Sequence, residues 1–179
     1  MRICGHRIRD HILLLGPLFG FIAAVWLIRL ILGVFDVGFV RMFSVTGAYA
    51  LAILLSAVLI HTRRFGSYPN VVAASVLLVV WGQLLIVLAI LFAVLTGTNN
   101  IFTAPQYSFP RVDPHHLKHI MGQLTYGIGA GILFGAAMGC FLLWILRMLV
   151  PPGSGAVVGG QWPVASKKGS GQGSGVRGQ

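Results

Sequence analysis

Apolar residues in this chain come in four long blocks with short polar punctuation between them, at about 12–33, 42–60, 71–96 and 114–150. Each block is near or above the roughly 18 to 20 apolar residues that a helix needs to cross a hydrocarbon core of about 30 Å. In that medium a segment must satisfy its own backbone groups, which makes the helix the natural spanning form. The pattern predicts an all-α integral membrane protein. Its four transmembrane helices form an antiparallel bundle over 1–150, and a flexible, disordered tail rich in glycine, serine and basic residues follows over 151–179.

The punctuation supports these limits. Segment 34–41 is a short connection. Tyr68-Pro69-Asn70 reads as a turn with Asn70 as N-cap of the third helix. Asp113-Pro114 suits a helix start, and Pro151-Pro152-Gly153 suits a stop. The fourth block would be about 55 Å long, more than a bilayer core requires. Its first turns, with His115, His116, Lys118 and His119, are therefore expected outside the hydrocarbon. The first block is too long for the apolar core of a signal peptide and reads as a retained helix. Pro17 falls in its first turns, where a missing N–H is tolerated.

Small residues recur inside the blocks at fixed spacing. Gly127, Gly131, Gly135 and Gly139 are four apart, although an interior glycine costs a helix roughly 1 kcal/mol relative to alanine. Such a stripe makes a groove that another helix can approach closely. Ser44, Ala48, Ala52 and Ser56 repeat the spacing on the second helix, and Gly16, Gly20 and Ala24 on the first. On the third helix Ser75, Gly82, Ala89 and Thr96 are seven apart, the period of a left-handed seam. Two accounts fit the four-residue stripes: the second and fourth helices pack on each other, or a stripe is an outward association face.

Composition sharpens the class. Only 9% of the 179 residues are charged, against about a quarter in soluble domains, and 56% are hydrophobic. Thirteen Lys and Arg face three acidic residues, for a net charge of +10. Most of the basic residues flank apolar blocks, so lipid is the expected partner and nucleic acid is not. With four spans, Arg2, Arg7, Arg9, Arg63, Arg64, Arg147, Lys167, Lys168 and Arg177 share one side. Arg29, Arg41, Arg111 and Lys118 share the other. Nine against four places both termini in the cytoplasm, at the inner membrane if the protein is bacterial. Cys4 and Cys140 are expected at opposite depths, and a disulfide between them is not.

Four polar sets are candidates for chemistry. Asp113, His115, His116 and His119 have helical spacing suited to a metal, or to a polar first turn among headgroups. His11 and His61 begin the first helix and end the second. They suggest a bis-histidine haem, or with Arg63 and Arg64 a contact to lipid phosphates. Tyr49, Gln83, Gln123 and Tyr126 are polar positions within the spans, read as interhelical glue or as part of a solute path. Arg29 either snorkels to the interface or pairs with Asp36.

No paired carboxylates, nucleophile elbow, P-loop or dinucleotide fingerprint is present, and the pattern leans away from an enzyme. No cofactor is required. The expected function is a non-catalytic structural or accessory membrane component that associates with itself or with other membrane proteins through small-residue faces. A metal- or haem-binding protein is the alternative, and small-solute transport comes third.

Overall fold

A computed structural model describes residues 2–3, 6–34, 44–98, 100–104 and 117–150. Apart from a two-residue antiparallel pair, β1 (Arg2–Ile3) with β2 (His6–Arg7), the regular elements are helical. Four helices are long and apolar enough to cross a membrane. They are α1 (Ile8–Val34), α2 (Val45–Thr62), α3 (Tyr68–Thr96) and α4 (Leu117–Leu149). The expected tail and the Asp113-Pro114 helix start lie outside the described residues.

Three helix starts differ from the hydropathy pattern, each for a local reason. α1 begins before the apolar block because Arg9, Asp10 and His11 form a polar first turn. The Arg7 amide donates to Asp10 Oδ2 at 2.9 Å, and a carboxylate there also suits the positive end of the helix dipole. α2 begins at Val45, and Ser44 is its N-cap, with Oγ accepting from the Gly47 amide at 3.3 Å. Ser44 therefore precedes the stripe on α2 instead of opening it. The N-cap of α3 is Ser67, not Asn70. Pro69 fits the first turn, where its missing N–H leaves no gap, and Asn70 enters the helix with its amide free for a tertiary bond. Gly97 ends α3 at φ 67°, the left-handed conformation that glycine takes without penalty.

Hydroxyls inside the apolar helices bond to their own backbone. Ser56 Oγ donates to the Ile53 carbonyl at 2.7 Å, and Ser75 Oγ donates to that of Val71 at 2.9 Å. Both serines are fully buried, and these bonds remove most of the cost of burying a hydroxyl.

α3 is the central helix, with 56% of its apolar window buried, and it packs against α1, α2 and α4. Leu78, Val79 and Ile90 of α3 join Leu15 and Ile22 of α1, Ala52, Ile53 and Ala57 of α2, and Leu143 of α4 in one core. Only 22% of the corresponding window of α4 is buried, so that helix is held through a narrow strip. The strip is the glycine stripe. A Cβ on Gly131 would lie 2.7 Å from Val79 Cγ1, one on Gly135 2.5 Å from Ile53 Cδ1, and one on Gly139 2.7 Å from Val71 Cγ1. Residue numbers rise along α4 as those of its α3 neighbours fall.

The stripe thus faces inward. Its nearest atoms belong to branched side chains, Val71 and Val79 of α3 and Ile53 of α2. Ala48, Ala52 and Ser56 are also buried, one helix position round from Ile53. Gly82 repeats the device on α3, where a Cβ would meet the Tyr49 ring at 2.8 Å. Gly129 lies off the strip, with open space at its Cβ position.

Gly139→Leu and Gly135→Leu should each destabilise the bundle by about 1–3 kcal/mol or more through overpacking. Gly129→Leu should be close to neutral. Thermal unfolding of the three variants in detergent checks both statements.

Candidate functional site

Polar side chains gather at the two ends of the bundle and along the inward face of α4. At the end where α1 begins, His11 is buried between α1 and α3. Its Nδ1 donates to the Arg7 carbonyl at 3.3 Å, and its Nε2 lies 3.0 Å from the Asn70 amide oxygen. The Phe65 ring meets the imidazole edge-on at 5.0 Å. The His11–Asn70 tie between two helices accounts for a buried Asn that sequence pattern assigns to a cap.

Beside it, the last turn of α2 and the turn into α3 face the last turn of α4 across a cavity of about 170 Å³. Ile60, His61, Arg64, Gly66 and Arg147 line it. Arg147 donates to the Gly66 carbonyl at 3.3 Å and lies over the Tyr68 ring, 4.8 Å from its centroid. Of the expected rim set, His61 and Arg64 reach this cavity. Arg63 is exposed and does not line it, and His11 is engaged by Asn70. Arg147, which charge counting registers only as a flanking cation, is the residue that completes the group.

At the opposite end a cavity of about 300 Å³ is lined by Arg29, Ser44, Thr46, Phe102, His119 and Gln123 among others. The Arg29 guanidinium lies over the Phe102 ring, 5.3 Å from its centroid. Phe102 is buried in a turn organised by Asn100. Asn100 Oδ1 accepts from the Phe102 amide at 2.9 Å, and Nδ2 donates to the Ala89 carbonyl of α3 at 2.7 Å. Arg29 thus packs against this turn through a cation–π contact. Asp36, the alternative partner to interfacial snorkelling, lies outside the described residues.

Gln123 connects this cavity to the interior. Its amide Nε2 lies 3.4 Å from His119 Nε2. A Cβ on Gly127 would be 3.0 Å from Gln123 Oε1 and also 3.0 Å from Gln83 Nε2, so two glutamines converge where that glycine leaves room. Tyr49 lies further along the same face, its hydroxyl 3.4 Å from the Cβ position of Gly131. Three of the four expected intramembrane polar residues therefore line the inner face of α4. The fourth, Tyr126, is 82% exposed. Segment Gln123–Gly127 is a π-helical turn, which hydropathy does not reveal. Such a turn adds a residue to the helix and shifts the register of the residues after it. Gln83 Oε1 is buried without a hydrogen-bond partner among the described residues.

Among the described residues no three His, Cys, Asp or Glu side chains gather as a metal site. Of the expected set, Asp113, His115 and His116 lie outside the described residues, and His119 is buried beside Gln123. Of the two rim histidines, His61 lines the cavity beside Arg64 and Arg147, while His11 meets Asn70.

These features define a small all-helical protein with four helices long and apolar enough to span a membrane, and a polar cavity toward each end. No family model, curated protein or solved structure matches the chain.

Asn70→Leu removes the partner of a buried imidazole and should cost about 1–3 kcal/mol, read as a lower unfolding midpoint in detergent. Gln83→Leu removes a buried unsatisfied oxygen at similar volume. It should change stability by less than about 1.5 kcal/mol, and the same unfolding assay measures it.

Proposed function

We propose that the chain is a non-catalytic component of a membrane. In this reading the four helices cross the bilayer as an antiparallel bundle with both termini cytoplasmic. The protein associates laterally with a second copy of itself or with another membrane protein, and α1 supplies the contact.

The observation that carries the reading is the outward stripe of α1. Gly16, Gly20 and Ala24 are exposed, and among the described residues no packing atom beyond their own helix backbone lies within 4 Å of a Cβ placed on either glycine. The neighbouring position Phe19 is tied inward. The Trp81 indole donates to its carbonyl at 3.1 Å, and the two rings meet edge-on at 5.8 Å. This turns the small residues away from the bundle. The α4 glycines have the same spacing, but Val71, Val79 and Ile53 already occupy their groove.

A lipid-facing glycine forgoes side-chain packing and lowers helix propensity. A small-xxx-small stripe offsets that cost when a second helix approaches closely enough for extensive dispersion contact. The nine-to-four distribution of basic residues supports the orientation.

Gly16→Leu combined with Gly20→Leu should reduce association severalfold while leaving the monomer folded. Energy transfer between labelled copies in liposomes reads self-association, and co-purification in mild detergent reads hetero-association. Gly129→Leu, equally exposed but on α4, should leave both signals unchanged. If the α1 double variant leaves both unchanged as well, lateral association through this face is wrong.

A further inference from the structure

We propose that the cavity formed by His61, Arg64 and Arg147 is a binding site for the phosphate group of an anionic phospholipid. The inference is independent of any lateral association through α1.

The site is built by three separate pieces of chain. His61 comes from the last turn of α2, Arg64 from the turn after it, and Arg147 from the last turn of α4. Arg147 is fixed at two points, by its bond to the Gly66 carbonyl and by the Tyr68 ring. A guanidinium has five N–H donors in a planar fork, and the single bond to Gly66 leaves donors for another acceptor. Arg64 has φ 51°, the only positive φ at a non-glycine among the described residues. A side chain in the left-handed region is disfavoured, yet the turn holds an arginine there instead of a glycine or asparagine.

Arg64 and Arg147 both line this cavity, so it carries two cationic residues with which an anion can pair. Among the described residues the chain places no carboxylate on the cavity. The chain has three acidic residues. The Asp10 carboxylate accepts from the Arg7 amide. Cations at helix C-termini also balance the helix dipole, but that role requires neither convergence nor a cavity.

The chemistry and position point to phosphate on a lipid. Arginine pairs match phosphate oxygens with bidentate, charge-assisted hydrogen bonds. The cavity sits where two apolar spans end, the depth at which headgroups meet a spanning protein, and basic pockets between such helices suit anionic headgroups. Met148, Leu149 and Val150, exposed beside Arg147, give acyl chains an apolar surface to lie against.

Native mass spectrometry of the full chain in detergent, titrated with phosphatidylglycerol and separately with phosphatidylcholine, tests this. The wild-type protein should retain phosphatidylglycerol in preference to phosphatidylcholine, and excess inorganic phosphate should not displace it. Arg64→Gly removes the charge and relaxes the left-handed backbone, so it lowers affinity without endangering the fold. Arg147→Gln removes the second fork. Each should weaken phosphatidylglycerol binding about tenfold or more. Arg63→Gln, which removes the same charge one residue outside the cavity, should stay within about twofold of wild type.

Equal losses from Arg63→Gln and Arg64→Gly would make the effect one of general surface charge and overturn the site. Equal retention of the two lipids would do the same. Displacement by inorganic phosphate would identify a soluble phosphate as the ligand and overturn the lipid assignment.

Discussion

The arrangement of this bundle depends on how closely the backbone of α4 approaches α2 and α3. Apolar helices in lipid gain no hydrophobic free energy by leaving one another's surroundings for the bilayer or the reverse; packing and polar contacts decide whether they stay together. α4 buries only a narrow strip, so each contact on that strip matters. Three glycines let Val79, Ile53 and Val71 press onto its main chain at distances that a Cβ would forbid. The helix propensity given up at each glycine is modest beside the dispersion attraction that close approach supplies along the whole strip. Gly82 of α3 makes the same concession to the Tyr49 ring, which ties α2 into the same seam.

Polar groups are arranged around that seam. Serines in the core bond to their own helix and leave the interface smooth. The glutamines meet at Gly127, the last residue of the π-helical turn, where the missing side chain leaves space for amides instead of a branched apolar group. His11 and Asn70 provide a directional tie between α1 and α3 near the start of both helices. Between helices whose apolar surfaces are otherwise interchangeable, such pairs and the glycine notches select one register over its neighbours.

The same sequence device takes two orientations in this chain. Small residues at four-residue spacing on α4 are filled from within, whereas those on α1 point outward. The difference comes from the opposing surfaces. α4 meets branched residues of two helices, while α1 is anchored through Phe19 and Trp81 on the adjacent face. The basic rim divides in a similar way. Arg63 and Arg64 are adjacent in sequence, but a left-handed turn puts only Arg64 into the cavity with His61 and Arg147.

The sequence by itself determined the number of long apolar helices, their approximate limits and the small-residue spacings, because length, hydropathy and glycine content act locally along one chain. It also marked Gln83, Gln123 and Tyr49 as polar groups in apolar surroundings. It left open which face of each stripe is occupied, because the spacing of Gly16 and Gly20 is identical to that of Gly131 and Gly135. It placed Asn70 at a cap, since a turn motif carries no information about an imidazole 59 positions away. It counted Arg147 as a flanking charge, since nothing local joins the end of α4 to the α2–α3 turn. Those assignments were decided only by tertiary structure. Rotation of each helix about its axis depends on the shapes opposing it, and in an apolar bundle nearly every rotation looks alike to hydropathy.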